Sequence, residues 1–334
     1  MQRILYSTSF FILLFGFSSC EKILLPPIQN DKISVFEDIY RHANENYPFF
    51  ELKEIDWDAI YHAYRPLVSN EMTDDAFFET SSRFLHELRD GHSNIQIGNK
   101  VNWWLGFMDG ARPNFNKDLL LEYLGDDFIN LGNLYGKEMD GMGYIYIENF
   151  WYGDEDYKFK QLLTTFKDTK GLIIDVRGNG GGKNDAAHSI PGYFTETRFL
   201  AEQWIYKTGK DQNDFSNPKP IYIEPSGSIV YHKPVILLIN RGVYSSANSF
   251  VNAMRYLPNV ALMGDTTGGG AGVPRPYILA NGWSLFIPDT FILDADGDPL
   301  EIGIVPHFFA EIDESHPEVD EILERALGEL RKLH

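Results

Sequence analysis

Leu172-Ile173-Ile174-Asp175-Val176-Arg177-Gly178-Asn179-Gly180-Gly181-Gly182 is the stretch that decides the fold. Its first part is apolar on both faces, the pattern of a short strand buried inside a parallel sheet. Glycines at 178, 180, 181 and 182 follow at once. Without Cβ atoms the chain can turn tightly there and present backbone N–H groups, which is what an anion or a developing oxyanion needs. Two familiar glycine-rich readings fail on the residues. A phosphate-binding loop ends in Gly-Lys-Ser/Thr, whereas Lys183 is followed by Asn184. The dinucleotide fingerprint fails on the spacing of its glycines.

Outward from this stretch, strands and helices alternate. Gly143–Ile147 reads as a strand and Tyr157–Phe166 as a helix. Pro234–Ile239 repeats the buried-strand character of 172–176, a helix follows from about Ser245 to Tyr256, and Val260–Met263 is the next strand. Such alternation defines an α/β core. Residues 196–232, polar and proline-bearing, read as an inserted hairpin and loop. The tail from Pro317 to Leu330 reads as a closing helix, with Val319, Ile322, Leu323, Ala326, Leu327 and Leu330 inward. Upstream, three amphipathic helices are expected. The first has Phe36, Ile39, Tyr40 and Ala43 on one face, and the second starts after Asp56-Trp57-Asp58. The third runs from about Thr73 with Phe77, Phe84, Leu85 and Leu88 as its stripe and Gly91 as its C-cap.

Composition narrows the function class. Asp and Glu number 48 against 29 Lys and Arg, a net charge of −19, and no basic run offers a nucleic-acid footprint. At the start, Arg3 precedes the apolar run Phe10–Phe17, and Ser18-Ser19-Cys20 follows. A charged residue, a short apolar run and small residues make a secretory signal peptide, too short to span a bilayer. Phe17-Ser18-Ser19-Cys20 resembles the bacterial lipoprotein box, so Cys20 is expected to carry lipid and anchor the protein to a membrane on the extracytoplasmic side, periplasmic or at the cell surface. Cys20 is the single cysteine of the chain, which removes disulfides, thiolate metal sites and cysteine nucleophiles from consideration. The expected organisation is a lipoprotein signal peptide at 1–20, a tether at 21–32 and a helical subdomain at 33–92. A short linking segment at 93–141 and an α/β core at 142–334 complete it.

Three further segments sit at element ends, where α/β sheets place their sites. Tyr244-Ser245-Ser246-Ala247-Asn248-Ser249-Phe250 lies between a buried strand and a helix. A serine there can project its hydroxyl as a nucleophile, or can serve as an ordinary helix N-cap. Gly264-Asp265-Thr266-Thr267-Gly268-Gly269-Gly270 is a second glycine-rich strand exit, and Asp90-Gly91-His92 follows a helix end.

Taken in order, these segments and 175–182 resemble the family of C-terminal processing (tail-specific) peptidases, including its tricorn-like and interphotoreceptor retinoid-binding branches. The resemblance covers roughly residues 33–310. It implies a crotonase or Clp-protease-like core with an N-terminal helical subdomain, and a serine nucleophile acting on a peptide or protein substrate, with no cofactor or metal. Two departures carry information. The best-known members are Ser/Lys enzymes, but the position of that lysine is Gly270 here, and His92 stands where the tricorn-like branch keeps its histidine. Many members also insert a PDZ domain, for which 93–141 is too short. Among Ser245, Ser246 and Ser249, the family pattern selects Ser245, because Asn248 and Phe250 then fall at the required offsets. It further implies Gly180 or Gly181, with Ser246, as backbone oxyanion donors. Glu301, in Glu301-Ile302-Gly303-Ile304-Val305-Pro306, is the expected orienting acid. Asp294, Asp296 and Asp298 read as solvated turn residues, since their run lacks the glutamate that a calcium loop places at its twelfth position. The alternative is a catalytically inactive module on the same fold that binds a peptide or hydrophobic ligand.

Overall fold

Strands that are apolar on both faces must be covered on both, and the central sheet is. The computed structural model describes residues 31–112 and 114–333, so the apolar N-terminal run and Cys20 lie outside the described residues. The central sheet has seven strands in the order β14 (Phe308–Phe309), β10 (Val260–Gly264), β9 (Val235–Ile239), β6 (Leu172–Asp175), β5 (Met142–Ile147), β4 (Leu134–Met139) and β3 (Ile129–Asn130). It is parallel from β14 to β5 and antiparallel from β5 to β3. Register pairs Ile173 with Ile236, and Ile236 with Ala261.

Alternate residues of these strands serve opposite layers. Ile174 and Leu237 point into a core with Phe159, Phe250 and Met254, under α5 (Glu155–Thr165), α6 (Asn184–Ser189) and α7 (Ser246–Arg255). Ile173 and Ile236 point the other way, onto α4 (Lys117–Leu124) and α8 (Glu321–Arg331) through Leu120, Leu323 and Leu327. The result is a three-layer α/β/α core.

A second hydrophobic cluster lies beside it. Helices α1 (Lys32–Asn46), α2 (Trp57–Tyr64) and α3 (Asp74–His86) start on side-chain caps, Asp31 to the Ser34 amide, Asp56 to Ala59 and Thr73 to Ala76. Phe36, Trp57 and Phe84 pack with Leu285 and Ile287 of a four-stranded sheet, β11 (Pro274–Ile278), β12 (Ser284–Pro288), β1 (Asn94–Ile97) and β2 (Lys100–Val101). A third sheet joins the hairpin β7 (Phe199–Tyr206) and β8 (Lys219–Ile223) to β13 (Thr290–Asp294).

Three local features differ from the sequence reading. Residues 93–141 are more than a link: β1 pairs with β12, and β4 pairs with β5 across the expected 141/142 boundary. Helix α3 stops at His86, and the left-handed residue after it is Arg89 (φ 51°), not Gly91. Tertiary bonds fix that turn, since the carbonyls of Leu88 and Arg89 accept from Tyr47 Oη and Lys53 Nζ at 2.9 Å each. Asp294 is buried rather than solvated. Its Oδ1 accepts from the amides of Asp296 and Asp298, and Arg255 takes its other oxygen. Among the described residues no helix is long and apolar enough to cross a membrane.

Candidate active site

Where β9 leaves the sheet, Asn240 ties two turns together, its Oδ1 accepting from the amides of Gly178 at 2.9 Å and Gly242 at 3.0 Å. The next residues run between the two glycine-rich segments. Tyr244 N donates to Asn179 O at 3.1 Å, and Ser245 N donates to Gly269 O at 3.0 Å. This sandwich holds Ser245 at φ 58°, ψ −132°, a conformation that costs a side-chain-bearing residue on the order of 1–3 kcal/mol. Its hydroxyl does not cap α7. It lies 3.1 Å from His92 Nε2 instead, so two residues 153 positions apart share a hydrogen bond.

His92 comes from the turn after α3, where its amide donates to Asp90 Oδ1 at 2.7 Å. Its ring rests on that of Tyr244, with centroids 5.0 Å apart. The residue is half-buried, and its Nδ1 is sealed from solvent with no hydrogen-bond partner among the described residues, as is Asp90 Oδ2, whose neighbour is the Lys53 ammonium at 3.9 Å. Burial holds the His92 pKa below its ordinary value, while the nearby Asp90 pulls it upward. The neutral imidazole is therefore the resting form at neutral pH, the form that can accept a proton from Ser245.

The structure brings Ser245 and His92 together and gives Glu301 other partners. Glu301 Oε2 accepts from the Ala271 amide at 2.8 Å, and Oε1 lies 2.7 Å from Lys53 Nζ. The direct Glu301–His92 hydrogen bond expected of an orienting acid is not formed. Burial pushes the Glu301 carboxyl up to about 7, opposed by Lys53 and reinforced by Asp90. Lys53 belongs to no sequence motif, and only the fold places it under the site.

The N–H donors are also resolved. Gly181 carries φ 96°, and a Cβ there would fall 2.7 Å from Tyr244 O and 2.8 Å from Ser245 Cβ, so only glycine lets this loop lie against the serine. Its own amide is taken by Asn179 Oδ1 at 2.9 Å. Gly180, exposed, and Ser246, the first residue of α7, keep amides with no acceptor among the described residues. The Ser246 hydroxyl is buried and unpaired. Asn248 fastens the Glu301 turn to α7, donating to Leu300 O at 3.0 Å and accepting from Thr267 Oγ1 at 2.6 Å. Beneath the loop, the fully buried Arg177 spans Asp175 and Asp320, each at 2.7 Å from Nη2. A serine hydroxyl on a neutral imidazole, beside the free Ser246 amide at the N-terminus of α7, is an arrangement suited to acyl transfer.

The pattern of Peptidase family S41 matches residues 141–309, just over half of the chain, and the tricorn protease C1 domain matches residues 29–85. The chain belongs to peptidase family S41. A candidate peptidase from Parabacteroides merdae, known from its crystal structure, is 37% identical over 90% of this chain and 97% of that one, with a TM-score of 0.85. Carboxy-terminal processing protease CtpA of Bacillus subtilis is 29% identical over 44% of this chain and 30% of its own length. The carboxy-terminal-processing protease of Bartonella bacilliformis is 27% identical over 42% of this chain and 31% of its own. The chain thus spans about a third of the length of the curated relatives it matches.

Proposed function

We propose that this chain is an exported serine-type peptidase in which Ser245 is the nucleophile and His92 the general base. The observation that carries the reading is the 3.1 Å contact between Ser245 Oγ and His92 Nε2. Family membership supports the reaction class. In the acylation step the Ser245 proton passes to Nε2 as Oγ bonds to the substrate carbonyl carbon. The carbonyl oxygen becomes an oxyanion facing the amides of Gly180 and Ser246, each donor worth about 3 kcal/mol in such sites. The C–N bond then breaks and His92 returns the proton to the leaving amine. Water, losing its proton to His92, attacks the acyl ester and restores the Ser245 hydroxyl. A positioned base of this kind contributes about 10²–10⁴ in rate. Glu301 acts at a remove in this reading, through Lys53, and not as the hydrogen-bond partner of His92.

The substrate class is a peptide or protein. The location we propose is extracytoplasmic and bacterial, with the mature chain anchored to a membrane through lipid on Cys20. Cleavage of a fluorogenic peptide library by wild-type protein, absent in Ser245→Ala, tests the activity. The intact mass of detergent-extracted protein tests the anchor, since a soluble chain without acyl mass would refute it.

A further inference from the structure

Lys53 lies in the turn between α1 and α2, and its side chain is only 14% exposed. Its ammonium sits 2.7 Å from Glu301 Oε1, 2.9 Å from the carbonyl of Arg89 and 3.9 Å from Asp90 Oδ2. The rings of Phe49 and Tyr47 close over it at 5.3 and 5.7 Å. Arg89 in turn donates to the carbonyl of Lys53, so the turn and the ammonium are clasped from both ends. An enclosed ammonium is costly unless it is paired, and here two carboxylates share it. One belongs to the turn that carries His92, and the other belongs to the core that carries Ser245.

We propose that Lys53 is a positioning residue for the His92–Ser245 pair: its ammonium bridges the side chains of Asp90 and Glu301, joining the His92 turn to the core, and sets the charge that the imidazole feels. For catalysis the inference rests on the peptidase reading; its effect on His92 does not.

The groups around the imidazole fix the expected signs. Asp90 approaches from its own turn, Lys53 from the α1–α2 turn, and Tyr244 and Ser245 from the core. Glu301 faces Lys53 and Asp90. The hydroxyls of Tyr47 and Tyr244 stay neutral, because burial pushes both well above their ordinary value. Lys53 lowers the proton affinity of both His92 and Glu301. Removing its charge therefore raises both, and both changes move the pH at which His92 is neutral and Glu301 ionised in the same direction, upward.

The test uses the described protein with Lys53→Met, which keeps the stem without the charge, and Lys53→Arg, which keeps the charge. Lys53→Gln gives the same readout if the methionine variant does not fold. The His92 ring titration is followed by NMR, assigned by its absence in His92→Asn, alongside the pH profile of Ser245 acylation by a fluorophosphonate probe. In Lys53→Met the His92 midpoint should rise and the acid limb should follow, with acylation near neutral pH falling by about tenfold, a fraction of what a general base contributes. Lys53→Arg should restore the wild-type midpoint. An unchanged midpoint with a rate lowered equally at every pH would mean that Lys53 only supports the fold, and would overturn the proposal while leaving the peptidase reading intact. A shifted midpoint in a protein whose Ser245 never reacts would support the coupling and sink the peptidase reading.

Discussion

The ring of Tyr244 fills the space that any side chain at position 270 would need: a Cβ on Gly270 would fall 2.2 Å from Tyr244 Cζ. The family's Ser/Lys members carry their lysine at this position, so the aromatic ring and that lysine exclude each other. The same ring backs His92 and stacks on Phe107 with centroids 4.4 Å apart, and its hydroxyl oxygen accepts from the Gly91 amide at 3.2 Å. One residue thus closes off position 270 to a side chain and braces His92.

Gly270→Lys should consequently fail to rescue His92→Ala. Besides meeting the Tyr244 ring, it would put a side chain at φ 74°. Overpacking of this kind costs typically about 1–3 kcal/mol, which urea unfolding would register as a lower midpoint. Recovery of Ser245 reactivity in the double variant would show that the ring does not exclude a lysine there.

Tyr244→Phe keeps the stacking but leaves the buried Gly91 N–H unpaired. The expected loss is about 1–3 kcal/mol of stability, the cost of an orphaned buried donor. Thermal unfolding measures it, and an unchanged Tm would show that water replaces the hydroxyl.

Activity should have an acid limb with two contributors. His92 must be neutral to accept the proton, and burial holds its pKa below the ordinary value, so this requirement is lost only as pH falls beneath neutral. Glu301, pushed up to about 7 mainly by burial, must be ionised to offset the Lys53 charge that lowers the proton affinity of His92, and that contribution is lost as pH falls through 7. Glu301→Gln should therefore lower the plateau of kcat/KM and move the limb to lower pH. A limb that stays in place would remove Glu301 from the account.

Asp320 caps α8 and reaches Arg177 beneath the glycine-rich loop, with its other oxygen 3.0 Å from Nη1. Asp320→Ala leaves a buried guanidinium with one carboxylate fewer. Breaking a buried pair from one side costs about 3–5 kcal/mol, readable from denaturant unfolding with an unchanged m-value. A loss below about 1 kcal/mol, the worth of a surface pair, would mean that solvent reaches Arg177.

Much of this architecture could be read from local pattern. Strands β6 and β9 announced themselves because all their residues but Asp175 are apolar, and the Ser245 and His92 segments because the one follows a buried strand and the other a helix end. What could not be read depends on distant partners. Lys53 looks like any lysine in a turn until the fold sets Glu301 against it, 248 positions on. Asp294 resembles its exposed neighbours Asp296 and Asp298 until Arg255 arrives. Helix α3 ends early because Tyr47 and Lys53 capture the carbonyls beyond it, while Gly91, the natural C-cap by residue type, is needed for close approach to Tyr244. The β1–β12 pairing joins two segments 190 residues apart, and neither has a pattern that names its partner.

The central claim is that Ser245, activated by His92, is a nucleophile. Treating folded wild-type protein with a fluorophosphonate probe and mapping the adduct by peptide mass spectrometry tests it most directly. One adduct is expected, on Ser245, lost in Ser245→Ala, strongly reduced in His92→Ala and retained in Ser249→Ala. An adduct that persists in Ser245→Ala would contradict the assignment of the nucleophile. A folded wild-type protein that never reacts would contradict the activity itself and leave a binding module on a peptidase fold.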